Sequence, residues 1–250
     1  MIRTGLAAFL LLVGSVVQAA AGIGVVTLHG KWGSPPGPIA AQLERSGVTV
    51  VSVEMPWSAK RQYDVTYEQA LGEVKTEVDK LRQLGLKKVV IVGHSFGANA
   101  ALAYMKVHGD VDGLILFAPG HVPEIWYPKN KGTGSVNQAR ESVKSGKPEA
   151  LVSFPDFNTG NRSKEFSRRA DIVLSYMDPE GLGNMPLSAS KITKAVPVLC
   201  VMSTEDRRGR NYIFDRLPQS EKSRYLETSA SHIGTPEAHV GEALEFLKTL

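Results

Sequence analysis

Five consecutive residues, Gly93-His94-Ser95-Phe96-Gly97, hold the pattern best suited to chemistry in this chain. They follow the apolar run Val89-Val90-Ile91-Val92 and lead into Ala98-Asn99-Ala100-Ala101-Leu102-Ala103-Tyr104-Met105. The segment therefore reads as strand, sharp turn and helix, with a serine at the apex. A serine so placed stands clear of a sheet, where an electrophilic carbon can approach it. Glycines two residues before and after leave space that side chains would fill, and backbone strain at such a turn is of the kind that collects at functional sites. A serine hydroxyl is a weak nucleophile at neutral pH and needs a base within about 2.6–3.2 Å. Histidine suits the task, with an unperturbed pKa of about 6.5. Of the six histidines, His29 and His94 lie in turns, His108 ends a helix-like run and His239 sits inside one. His121 and His232 each follow a strand-like run, as do the carboxylates Glu205 and Asp206.

These side chains need elements to position them. Strand-like apolar runs cover residues 25–28, 48–53, 88–92, 111–117, 196–202 and 225–228. Helix-like runs fall at 39–45, 67–84, 98–108 and 236–250; the second has Leu71, Val74, Val78 and Leu81 at helical spacing with charges between. Near-continuous apolar strands alternating with helices predict a parallel sheet covered on both faces. Ligands in such sheets bind beyond the carboxyl ends of the strands, and every candidate above falls just after a strand. Residues 121–195 break the rhythm, with two stretches of helical character at 136–144 and 163–176.

On Gly93 to Gly97 and its setting, the chain resembles the α/β-hydrolase superfamily over nearly all its length after residue 22. The resemblance implies a doubly wound, mostly parallel α/β sheet of about six strands with residues 121–195 as a helical cap. Larger relatives begin with an extra hairpin, which is expected to be absent here because the first recognisable strand follows the leader so closely. It further implies Ser95 as nucleophile, Asp206 as acid and His232 as base, in the chain order of the family. Glu205 is the neighbour that could replace Asp206, whereas His121 as base would break that order. Backbone N–H groups of Phe96 and of Lys31, in the turn His29-Gly30-Lys31-Trp32-Gly33, are the implied oxyanion donors, with Trp32 as the alternative to Lys31. Trp32 and His94 are expected beside the substrate. The loop Gly33-Ser34-Pro35-Pro36-Gly37-Pro38 reads either as a wall of that site or as a connector.

The N-terminus carries its own signal. Arg3 precedes the apolar residues 6–17, and Gln18-Ala19-Ala20-Ala21-Gly22 offers small residues at a cut site after Ala19 or Ala21. This reads as a secretory leader over residues 1–21, ahead of one hydrolase domain at 22–250, and predicts a periplasmic or secreted protein. The apolar run is shorter than the roughly 20 residues a bilayer span needs. Cys200 is the single cysteine, so no intrachain disulfide forms, and its apolar neighbours predict a core position. Nine Lys/Arg against four Asp/Glu between Lys129 and Arg169 read as a solvated face or as an attractor for an anionic ligand. No nucleic-acid motif, metal-ligand spacing or dinucleotide loop is visible, so no cofactor is expected. The expected activity is hydrolysis of a small or lipid-like acyl ester; peptidase, amidase or thioesterase action, or non-catalytic binding on the same scaffold, are the alternatives.

Overall fold

The computed structural model describes residues 22–250; the leader read from residues 1–21 lies outside the described residues. The chain runs β1 (Ile23–Leu28), α1 (Ala40–Arg45), β2 (Thr49–Val53), α2 (Tyr67–Gln83), β3 (Lys88–His94), α3 (Phe96–Val107) and β4 (Gly113–Phe117). After an insertion come β7 (Val198–Ser203), β8 (Arg224–Thr228), α8 (Thr235–Ala238) and α9 (Val240–Lys248). The insertion itself holds α4 (Pro123–Trp126), α5 (Thr133–Lys144), β5 (Leu151–Asn158), β6 (Arg162–Arg169), α6 (Ala170–Met177) and α7 (Met185–Ser190).

The main sheet has six strands in the order β2-β1-β3-β4-β7-β8, all pairs parallel. Successive side chains of a strand point to opposite faces, so a strand buried on both must be apolar throughout. In β3, Val89 and Ile91 join the core under α2 and α3, while Val90 and Val92 join the core under α1 and α9. Helix α2 starts at a reciprocal cap between Thr66 and Gln69 and buries Leu71, Val74, Val78 and Leu81. Cys200 lies in the core, where burial pushes its thiol up to about 12.

Two expectations need correction. Residues 163–176 were expected as one helix; the first half is strand β6, paired antiparallel with β5, so the insertion is helical with an added hairpin. Ser163 to Arg169 is charged enough to resemble a helix surface, yet Phe166 sits opposite Phe154 in register and packs on Tyr63, which favours the extended form. The C-terminal helix is also interrupted, at His239, whose backbone leaves the helical region (φ −123°, ψ 26°).

Candidate active site

Ser95 joins β3 to α3 with φ 54° and ψ −115°, in the left-handed region that L side chains rarely adopt. The turn is held from several sides. The Ser95 N–H donates to the Phe117 carbonyl at 2.9 Å, and the Ser95 carbonyl accepts from Gly120 N–H at 3.0 Å. The flanking glycines are sterically required: a Cβ on Gly93 would lie 2.3 Å from the Gly97 oxygen, and one on Gly97 only 2.0 Å from the Leu28 oxygen. Helix α3, buried all round from Phe96 to Met105, anchors the turn from beneath.

His232, in the loop between β8 and α8, meets this serine. Its Nε2 lies 2.8 Å from Ser95 Oγ, and its Nδ1 lies 2.8 and 3.0 Å from the two Asp206 carboxylate oxygens. A carboxylate only accepts, so Nδ1 carries the proton and Nε2 presents a lone pair to the serine hydroxyl. Glu205 also belongs to the site but has a different partner: its carboxylate accepts the His232 backbone N–H at 3.0 Å. The ring therefore faces Asp206 and the loop is tied by Glu205. His94 lines the cleft and donates from Nε2 to the His232 carbonyl at 2.9 Å. Burial pushes its pKa down to about 4, so it is neutral at physiological pH and acts as a fixed donor.

His121 takes no part in this chain of bonds. Its Nε2 donates to the Tyr176 carbonyl at 2.8 Å and its Nδ1 accepts from Lys31 Nζ at 3.2 Å, while the ring stacks on Phe96 at 3.8 Å between centroids. Both nitrogens are occupied, and burial together with the Lys31 charge holds its pKa well below the usual value. The alternative of His121 as base is thereby corrected.

The loop after β1 packs directly against the serine; a Cβ on Gly30 would stand 3.2 Å from Ser95 Cβ. His29 braces the loop by accepting the Met55 N–H on Nε2 (3.0 Å), and its carbonyl accepts from Trp57 Nε1 (2.9 Å). The Trp32 N–H donates to the Trp57 carbonyl at 2.9 Å, which removes it as an oxyanion donor. The N–H groups of Lys31 and Phe96 meet no protein acceptor among the described residues.

The Lys31 side chain turns inward. Its ammonium donates to Asp156 Oδ1 at 2.5 Å and to the Phe157 carbonyl at 2.8 Å, and lies 4.7 Å from the Trp126 ring centroid. Asp156, fully buried on β5, also accepts from Trp32 Nε1 (2.7 Å) and Tyr63 OH (2.8 Å). Burial lowers the Lys31 pKa, and the Asp156 charge opposes that shift. This junction between insertion and core was not anticipated. Its one sequence signal is the period-2 set Val152, Phe154, Asp156, which shares the buried face of β5.

A cleft opens over Ser95 in two adjoining lobes that share Lys31, Ser95, Arg162 and His232. The first, about 390 Å³, is walled by Trp32, Ser34, Pro38 and Ile233, so the proline-rich loop forms part of the mouth. The second, about 330 Å³, is bounded by Trp126, Phe157, Lys131 and Arg208. Of the other insertion aromatics, Phe154, Phe166 and Tyr176 instead pack around Tyr63 inside the fold.

Behind the second lobe, Arg208 donates to the Pro119 carbonyl at 2.7 Å and lies 3.5 Å from Asp206. The nearby Glu124 accepts from Tyr212 OH, and its second oxygen is buried without a partner. Burial lifts its carboxyl from the usual 4.5 up to about 7, against the pull of the Tyr212 hydrogen bond and Arg208. The folded chain therefore binds a proton here that the unfolded chain has lost between pH 4.5 and 7, so this group's contribution to stability falls as pH rises across that window. Glu124→Gln keeps the acceptor for Tyr212 and removes the charge. It raises the melting temperature at pH 8 by a few degrees, on the order of 2 kcal/mol, and changes little at pH 5. Thermal melts of both proteins at the two pH values check this.

The model of the alpha/beta hydrolase family matches residues 25–240. Among solved structures, one of the metagenome-derived lipolytic enzymes LipS and LipT superposes with a TM-score of 0.64 at 15% identity, covering 94% of this chain and 100% of that one. A monoacylglycerol lipase of Paleococcus ferrophilus gives 0.63 at 18% identity, over 90% and 94% of the two chains. Est1E from Butyrivibrio proteoclasticus with ferulic acid bound gives 0.61 at 15% identity, over 94% and 91%. No curated protein sequence matches the chain. At these identities the structural likeness speaks for the fold alone. A family match from the first strand to the start of the last helix, laid over a parallel sheet with a strained serine at its carboxyl edge, leads to one statement: this chain belongs to the alpha/beta hydrolase family.

Proposed function

We propose that this protein cleaves carboxylic esters through an acyl-enzyme formed on Ser95. One observation carries the reading: an unbroken hydrogen-bonded line from Ser95 Oγ through the His232 ring to Asp206, opening on a cleft. His232 takes the serine proton as Oγ attacks the acyl carbon, then gives it to the departing alcohol. Asp206 holds the Nδ1–H tautomer and stabilises the imidazolium that forms. The free N–H groups of Lys31 and Phe96 receive the oxyanion, that of Phe96 reinforced by its place at the start of α3. Water, activated by the same imidazole, then releases the acid. Lipolytic enzymes among the structural neighbours, a monoacylglycerol lipase included, agree with ester chemistry. With residues 1–21 read from the sequence as a secretory leader, the proposed reaction takes place outside the cytoplasm, in the periplasm or the medium, with a small or lipid-like acyl ester as substrate. No helix among the described residues is long and apolar enough to cross a membrane.

A fluorophosphonate probe tests the reading. The folded protein is expected to label at one site, with Ser95→Ala unlabelled and His232→Ala strongly slowed. Folded protein that resists the probe argues for a binding protein on a hydrolase scaffold. Parallel assays on matched ester, thioester and amide substrates then rank the leaving groups, and an amide turned over faster than its ester overturns the ester assignment.

A further inference from the structure

The second lobe of the cleft has more positive charge than its own structure uses. Lys131, Arg162 and Arg208 border it, and the only carboxylate on its wall is Asp206, already bound to the His232 ring. Arg208 is paired with that same Asp206 at 3.5 Å and Lys31, also on the wall, is neutralised by Asp156, so Lys131 and Arg162 are the wall cations left without a carboxylate among the described residues. The salt bridges of the insertion join Lys31 to Asp156, Arg140 to Asp178 and Arg169 to Asp171, and among the described residues include neither Lys131 nor Arg162. Arg162 is held by its own hairpin turn, donating from Nε to the Thr159 carbonyl at 3.1 Å, which leaves the two terminal nitrogens of its fork free. Arg208 Nε is buried with no acceptor. Asn161 and Ser163, which carry neutral donors, also line the lobe, while the Asn158 amide is already engaged with the Lys31 carbonyl. Planar guanidinium forks beside amide and hydroxyl donors match the oxygens of a carboxylate or phosphate. The first lobe differs, since Trp32, Pro38 and Ile233 give it apolar walls.

We propose that the second lobe is an anion subsite, and that the preferred ester bears a carboxylate or phosphate on one limb while its other limb is apolar. This rests on the esterase reading above and adds the substrate class. The charge acts in two ways. It draws anionic esters toward the cleft over a distance set by ionic strength, and it holds the anionic limb while Ser95 meets the carbonyl at the junction of the lobes.

The test compares matched esters on the full-length protein. A monoaryl glutarate, which keeps a free carboxylate, is paired with the aryl pentanoate; an acylglycerol phosphate is paired with the acylglycerol. In at least one pair the anionic ester is expected to exceed its neutral partner about ten-fold in kcat/KM, with the ratio shrinking as salt rises. The arm that shows the gain identifies the carboxylate or the phosphate as the recognised group. In the double variant Lys131→Gln, Arg162→Gln the ratio falls to about one. Since the salt response is read on the unaltered protein, a variant that fails to fold leaves the test intact. Neutral esters turned over as fast as both anionic partners, or a preference unmoved by salt, overturns the subsite alone. Absence of probe labelling at Ser95 instead overturns the esterase reading beneath it.

Discussion

Asp206→Asn is expected to lower kcat for ester hydrolysis by about four orders of magnitude, while Glu205→Gln lowers it less than about ten-fold. The two residues are chain neighbours with the same charge, so the contrast comes from geometry. The Asp206 carboxylate accepts from His232 Nδ1 through both oxygens. An asparagine there can turn its NH2 toward Nδ1 and stabilise the tautomer whose proton sits on Nε2, facing the serine. That ring cannot accept the serine proton, and no anion remains to balance the imidazolium. Glu205 accepts only the His232 backbone N–H, at an exposed position, and a glutamine oxygen can do the same. Steady-state and burst kinetics with an activated ester, alongside circular dichroism to check folding, read the difference. Equal losses in both variants would remove Asp206 from its assigned role.

How legible this site was from sequence depended on how local each signal is. The serine turn could be read because one pentapeptide encodes both its conformation and its clearances: Gly93 and Gly97 are the only residue type that avoids the backbone contacts met there. The six strands could be read because a strand buried on both faces must be apolar at every position, which leaves a run rather than a subtle alternation. Residue type alone does not separate Asp206 from Glu205, since adjacent carboxylates at a strand end carry the same local signal; the family resemblance favours Asp206, and in the fold the approach of the His232 loop distinguishes the two. Strand β6 was misread because its exposed charged residues lack a strand's apolar alternation, and its partner β5 supplies most of the buried face. For Lys31 the sequence reading reached only the backbone N–H and said nothing of the side chain. The fate of its ammonium depends on Asp156, which is 125 positions away, and no spacing rule reaches that far.

That distant pair leads to the other large effect. Asp156→Ala is expected to destabilise the protein by about 3–5 kcal/mol, because it leaves a buried ammonium without its counter-ion. The Lys31 side chain is 3% exposed and Asp156 is 0% exposed, so water cannot replace the lost partner. The remaining acceptors are the Phe157 carbonyl and one nitrogen of His121, and neither carries charge. Trp32 and Tyr63 lose their acceptor in the same step. For a chain of this size the melting temperature then falls by roughly 2–4 °C per kcal/mol. The companion variant Lys31→Met, Asp156→Leu removes both charges together and recovers a large part of that loss, because paired burial of opposite charges adds little net stability over well-packed apolar groups. Its activity does not recover in step. The Lys31 backbone N–H is one proposed oxyanion donor, and such a donor contributes about 10²–10³ in kcat only while it is held in place. The pair fixes both the residue that bears this N–H and the Trp32 beside it to the insertion's hairpin. A double variant as stable as the parent but slowed by one to two orders of magnitude identifies the buried pair as a positioning device for the oxyanion loop. A double variant with full kcat, or Asp156→Ala melting within about 1 kcal/mol of the parent, reduces it to ordinary packing.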